Sequence, residues 1–239
     1  MSSGRPDPPS APDLVLLDLD GTLVDTLGDL HAALQQVCRN HGRSVPTRDR
    51  TREVASQGVR SMLVLAGFDP LDEPLLDSLR TEFLDFYANH LVNETRLMDG
   101  IPALLDGWRK EGRPWGIVTN KPSFLTTPLL RSLPLPYPPV VVVSRDPTSP
   151  PKPDPGPVRR ALEQAGCPPH RSVFVGDARG DIQAGQAAGV VSLAALWGYL
   201  ARTDPPERWG ADGLLRSPAD LAAWLSRRDP RPEGVHGKS

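Results

Sequence analysis

The run Leu14-Val15-Leu16-Leu17-Asp18-Leu19-Asp20-Gly21-Thr22 constrains the fold more than any other stretch of the chain. Four consecutive aliphatic residues suit a strand buried on both faces of a parallel sheet. The run then stops at two carboxylates separated by one leucine, and Gly21 permits a sharp turn. Strand side chains alternate, so Asp18 and Asp20 point the same way while Leu19 turns into the core. Open α/β sheets bind their ligands outside the carboxyl ends of their strands, which makes this acidic strand end a place for chemistry. A strand ending in a plain acidic turn gives the same letters. The partners elsewhere in the chain decide between the two.

The pattern that follows is in two parts. Apolar residues at helical spacing predict helices over 26–40, 51–66 and 73–91, with no convincing strand before about residue 98. Strand and helix signals then alternate. Helices are expected over 102–111, 158–166, 181–188 and 218–226, and strands over 114–120, 140–144, 172–177 and 190–196. Repeated strand–helix units with apolar strands argue for an α/β, doubly wound parallel sheet interrupted by a small all-helical insertion. The expected organisation is a disordered extension over 1–12, a core domain from 13–24 and 98–228, a helical domain over 25–97, and a flexible tail over 229–239.

Composition excludes several classes. With 38% apolar and 23% charged residues among 239, the chain is globular. A net charge of −2 gives no support for a nucleic-acid partner. No apolar run reaches membrane-spanning length, and the N-terminus lacks the apolar core of a signal peptide. Cys38 and Cys167 have no CxxC spacing and read as free thiols in a reducing cytoplasm. The five histidines show no ligand spacing either. Proline, at 28 positions, is about twice as frequent as usual and reads as loop stiffening around 134–139 and 147–157.

Three further strand ends carry polar groups. Thr119-Asn120-Lys121 follows Ile117-Val118 and offers a hydroxyl and backbone N–H groups to a phosphoryl oxygen, although a turn explains it equally well. Lys152-Pro153 follows the strand at 140–144 and offers a point charge beside a stiff turn. Gly176-Asp177-Ala178-Arg179-Gly180-Asp181 ends an apolar strand and opens a helix, setting Asp177 and Asp181 close enough to share a site. Hard oxygen ligands clustered in this way suit Mg²⁺.

Taken in order, these four strand ends resemble the four motifs of the haloacid dehalogenase (HAD) superfamily, beginning with DxDGTLxD and ending with GDxxxD. The resemblance implies phosphoryl transfer to Asp18 as nucleophile, with Asp20 as acid and base and Lys152 as the cation beside them. It implies Mg²⁺ held by Asp18, Asp177 and the Asp20 backbone carbonyl, with Asp181 in support, and Thr119, Asn120 and Lys121 around the phosphate. An acid at Asp20 also argues against dehalogenation, which has no leaving group to protonate.

The helical insertion resembles the C1-type cap of these enzymes. In its turn Ser56-Gln57-Gly58-Val59-Arg60, Arg60 is open to two readings, a contact to substrate or a surface arginine. The chain looks like the phosphoglycolate phosphatase family. The segments Trp197-Gly198-Tyr199-Leu200, Asp204-Pro205-Pro206 and Trp209-Gly210-Ala211-Asp212 are similar to the N-acetylmuramic acid 6-phosphate phosphatases of cell-wall recycling. The expected partner is thus a small phosphorylated metabolite, met by a monomer or homodimer. The competing readings are a 2-phosphoglycolate phosphatase, a β-phosphoglucomutase-like mutase and an inactive HAD-fold binding protein.

Overall fold

Strand β1 (Leu14–Leu17) is flanked on both sides, as its unbroken apolar run requires, and its four side chains are at most 1% exposed. The computed structural model describes residues 12–145, 148 and 150–228. The expected N-terminal extension up to residue 11, the tail from residue 229 and Pro147 lie outside them. After β1 the chain forms β2 (Val24–Asp25), then four helices, α1 (Leu27–Asn40), α2 (Arg48–Ala55), α3 (Val59–Leu65) and α4 (Glu73–Asn89). It returns through β3 (Arg96–Leu97) to α5 (Ile101–Glu111), β4 (Trp115–Pro122), α6 (Ser123–Ser132) and β5 (Val141–Arg145). The remainder is α7 (Gly156–Ala165), β6 (Ser172–Gly176), α8 (Arg179–Ala188), β7 (Val191–Ala195), β8 (Gly213–Leu215) and α9 (Pro218–Ser226).

Six strands form one parallel sheet in the order β5-β4-β1-β6-β7-β8. The pairing Leu17↔Ile117 and Leu17↔Val175 brings the ends of β1, β4 and β6 level, so three of the four polar strand ends open onto one crevice. The alternation of β1 explains its burial. Val15 and Leu17 pack with Ile101, Leu105 and Trp108 of α5 and Leu221 and Trp224 of α9. Leu14 and Leu16 pack on the other face with Val158 and Leu162 of α7 and Ala184 of α8. Leu19 is fully buried in the first of these clusters, as its position between two carboxylates predicts. Each such leucine contributes about 1.5–3 kcal/mol by leaving water.

The helical insertion has its own apolar centre. Leu30, Leu34 and Val37 of α1 meet Met62 and Leu63 of α3 and Leu76, Leu79 and Phe83 of α4, with Leu125 of α6 reaching in from the sheet side.

Four local features differ from the pattern reading. The expected helix over 51–66 is two helices, because the chain turns at Ser56-Gln57-Gly58 and Gly58 takes φ 90°. Two-residue strands β2 and β3 pair antiparallel where the insertion leaves and rejoins the sheet, a segment too short to show any period. Helix α6 contains Pro128, whose missing N–H and neighbouring threonines mask its helical spacing. Strand β8 has three residues at the sheet edge and gave no pattern.

Candidate active site

Asp18 follows β1 directly and projects into the crevice between the ends of β4 and β6. Its Oδ1 accepts a hydrogen bond from Lys152 Nζ at 2.7 Å. The same ammonium donates to the Val118 carbonyl at 2.9 Å and lies 2.6 Å from Asp181 Oδ1. Asp177, at the end of β6, accepts from Thr22 Oγ1 at 3.0 Å and from the Tyr199 backbone N–H at 2.7 Å. Asp181 is in the first turn of α8, where its Oδ2 accepts from the Ala178 N–H at 3.0 Å and caps the helix. Space around Asp177 is cleared by glycines. A Cβ at Gly21, which holds φ 87°, would lie 2.2 Å from Asp177 Oδ2, and one at Gly198 would lie 2.1 Å from its Cβ.

Carboxylate oxygens of Asp18, Asp177 and Asp181 all lie within 4.8 Å of one another and are buried. One ammonium, Lys152, stands among these three acids and pairs with two of them, Asp18 and Asp181. Burial, only partly countered by Lys152, pushes the Asp18 carboxyl up to about 7. Burial and the neighbouring Asp18 raise Asp177 well above the ordinary carboxylate range. Burial disfavours the Lys152 ammonium, but Asp18 and Asp181 outweigh it and raise its pKa. An all-oxygen, electron-rich donor set of this size, short of positive charge, fits Mg²⁺.

Asp20 lies beside this cluster, on the wall of the same cavity. Thr26 Oγ1 donates to its Oδ1 at 2.6 Å and Lys121 Nζ donates to the same oxygen at 3.0 Å. Lys121 Nζ also donates to Tyr87 Oη of α4 at 2.9 Å and stands 4.4 Å from that ring's centroid. The cavity measures about 530 Å³. The sheet supplies its floor and helices α3 and α4 supply much of its roof.

Residues 15–195 match the family model of haloacid dehalogenase-like hydrolases. The chain belongs to that family. An N-acetylmuramic acid 6-phosphate phosphatase of Pseudomonas aeruginosa is 40% identical to this HAD hydrolase over 213 residues, 89% of this chain and 94% of the relative. A phosphoglycolate phosphatase of Xanthomonas campestris is 38% identical over 216 residues, 89% of this chain and 97% of the relative. The crystal structure of a "predicted phosphoglycolate phosphatase" from Haemophilus somnus aligns with a TM-score of 0.78 at 23% identity, covering 89% and 97% of the two chains. That likeness speaks for the fold, while the two closer sequences place the HAD hydrolase among the family's phosphatases.

Of the residues singled out in the sequence, Asp18, Asp20, Lys152, Asp177 and Asp181 gather within one site. Thr119 is buried there, and its Oγ1 accepts from the Lys121 N–H at 3.1 Å, which leaves the hydroxyl hydrogen for another acceptor. Asn120 and Lys121 are differently engaged than a phosphate cradle requires. The Asn120 amide donates to the Lys152 carbonyl at 3.1 Å and accepts from the Lys152 N–H at 2.9 Å, fixing the loop that carries the lysine. Lys121 is committed to Asp20 and Tyr87, whose oxygens outweigh the cost of burial and raise its pKa. Arg60 also lines the cavity, yet its guanidinium is held by Glu73 at 2.6 and 2.8 Å and by the Pro70 carbonyl at 2.7 Å.

The motifs missed Tyr87, Thr26 and Tyr199. The Tyr199 hydroxyl accepts from the N–H groups of Thr26 at 2.7 Å and Leu27 at 3.0 Å and donates to Asp25 at 2.9 Å. It thereby ties the start of α1 to the loop that holds Asp177. In the sequence Tyr199 carries a resemblance but no chemical signal of its own. Tyr87 sits on a helix whose apolar spacing gives no hint of a polar partner. No helix among the described residues is long and apolar enough to cross a membrane.

Proposed function

We propose that this hydrolase cleaves a phosphomonoester through an aspartyl-phosphate on Asp18, and that its favoured substrate is N-acetylmuramic acid 6-phosphate. The observation that carries the reading is the pair of carboxylates, Asp18 on Lys152 and Asp20 on Lys121, side by side on the wall of one cavity. Mg²⁺ would be held by Asp18, Asp177 and the Asp20 main-chain carbonyl, with Asp181 in support. When bound it neutralises phosphate charge, so that one anion can approach another.

The residues then divide the work. An Asp18 oxygen attacks phosphorus as the ester P–O bond breaks, and Asp20 delivers a proton to the departing alcohol oxygen. In the second half, Asp20 takes a proton from water as that water attacks phosphorus, which frees Asp18 and releases inorganic phosphate. Lys152 Nζ and the Thr119 hydroxyl stabilise charge on the transferring group. Asn120 acts by fixing Lys152, and Lys121 by fixing Asp20. The helical insertion over 25–97 acts as a cap that excludes water, with the β2–β3 ribbon at its hinge.

Two facts favour the amino-sugar ester over 2-phosphoglycolate. The cavity of about 530 Å³ lies within the span that sugar-sized and larger ligands occupy. The relative at 40% identity bears that substrate's name, although the one at 38% is named for phosphoglycolate. Unpaired Cys38 and Cys167 agree with a cytoplasmic setting.

The test is phosphate release from both esters, with Mg²⁺ and with EDTA. Faster release from N-acetylmuramic acid 6-phosphate that EDTA abolishes is the expected result, and Asp18→Asn lowers it by at least about 10⁴-fold. A preference for phosphoglycolate replaces the substrate. Metal-independent turnover that survives Asp18→Asn sinks the mechanism.

A further inference from the structure

Six basic side chains stand on the cavity wall, and four of them already face carboxylates. Lys152 pairs with Asp18, Lys121 with Asp20, Arg60 with Glu73 and Arg179 with Asp204. Of the other two, Arg145 is exposed at the end of edge strand β5. Arg80 is half-buried on α4, and its side chain forms no hydrogen bond or ion pair with any described residue. A guanidinium facing a cavity without an anion is a recognition group without its ligand.

The position of Arg80 sets a length. Arg80, Leu84 and Tyr87 follow the i, i+4, i+7 spacing of one helix face, and all three line the cavity. Tyr87 touches the Lys121 that holds Asp20, so its end of the face marks the reacting end. Arg80 lies seven residues earlier, about 10 Å along the helix axis. Leu84 lies between them, and Met62 and Leu125 add further apolar wall.

We propose that Arg80 is a specificity residue that binds a second anionic group of the substrate, a carboxylate or a second phosphate, about 10 Å from the phosphoryl group. The inference rests on the phosphomonoester reading above and narrows its substrate class to sugar-sized esters with a remote anion. In 2-phosphoglycolate, phosphorus and the carboxyl carbon are three bonds apart, about 4 Å, as between successive Cα atoms. That is too short to reach from the Asp18 end to Arg80. A ring carrying phosphate on one side and a carboxylate on the other spans about 8–10 Å by the same bond lengths. Leu84 and its apolar neighbours then face the ring.

The experiment is calorimetric binding of intact esters to Asp18→Asn, with and without Arg80→Gln, alongside turnover by the wild type. N-acetylmuramic acid 6-phosphate is paired with N-acetylglucosamine 6-phosphate, which lacks the carboxylate, and glucose 1,6-bisphosphate is paired with glucose 6-phosphate. Arg80→Gln weakens the member with the remote anion by about 10- to 100-fold and its counterpart by less than about 3-fold. The pair with the larger loss tells carboxylate from phosphate. Arg80→Lys recovers only part of the loss, since a point charge cannot bind bidentately. Equal losses within each pair, no loss, or equally weak binding of all four esters overturns the role of Arg80. Failure of the wild type to release phosphate from any of the four counts separately against the phosphatase reading.

Discussion

The floor and the roof of the cavity are built on opposite principles. On the floor, at the ends of β1, β4 and β6, every charged group is engaged. Lys152 serves two carboxylates, Lys121 serves Asp20, and Asn120 clamps the main chain of Lys152 on both sides. These side chains lie close to a parallel sheet whose strands cannot shift without breaking two ladders. The roof is made of helices whose charges face water, such as the exposed Arg60–Glu73 pair, or face the cavity, such as Arg80. The difference teaches where each property resides. On the proposed mechanism, chemistry needs atoms held to fractions of an ångström and falls to the sheet, whereas substrate choice falls to a surface open to change.

Four experiments break or sharpen that contrast. The largest effect belongs to the floor. Lys152→Met leaves Asp18 and Asp181 facing each other without their common cation, and costs about 3–5 kcal/mol of stability in urea unfolding. A loss below about 1 kcal/mol would mean that the floor is less tightly coupled than its geometry implies.

Next comes the strut by which the roof touches the partner of Asp20. Tyr87→Phe removes the oxygen that fixes Lys121, and through it Asp20, without opening a cavity. It lowers kcat by about 10-fold, changes KM little and shifts the pH–rate profile, as expected of a positioning residue rather than a packing one. An unchanged profile would separate the roof from the chemistry.

A smaller effect appears in the melting of the metal-free protein. The folded Asp18 carboxyl titrates at about 7, above its ordinary value of 3.8, because burial disfavours its charge. Its contribution is therefore fully present below about pH 4 and is lost as pH rises towards 7. At pH 8 in EDTA, Asp18→Asn melts about 2–4 °C higher than the wild type, the response to about 1 kcal/mol in a domain of this size. At pH 4 the two melt together. Added Mg²⁺ at pH 8 stabilises the wild type more than the variant, and an equal response would remove Asp18 from the metal set. Smallest of all, Glu73→Gln frees Arg60 at the exposed edge of the roof and moves Tm by no more than about 1 °C. A larger shift would make this pair part of the insertion's framework.

Much of this molecule was legible in its sequence because the informative signals are local. A strand buried on both faces must be continuously apolar, and it must end where polar groups begin, so β1, β4 and β6 announced both themselves and their polar ends. The amphipathic spacing of α1 and α4 was equally plain. What failed to show was short or masked: β2 and β3 have two residues each, and α6 hides behind Pro128.

The chain by itself determined the sheet, its helical insertion, and the acids and the lysine that meet at the strand ends. Only the tertiary structure decided which partner each charge takes. Lys121 reaches Asp20 across 101 residues of sequence and Lys152 reaches Asp18 across 134. Arg60 found Glu73 just 13 residues on, while Arg80 was left facing the cavity. Periodicity reports which face of an element is buried. It carries no record of the oxygen or nitrogen that waits on the other side, because that is set by where the elements cross.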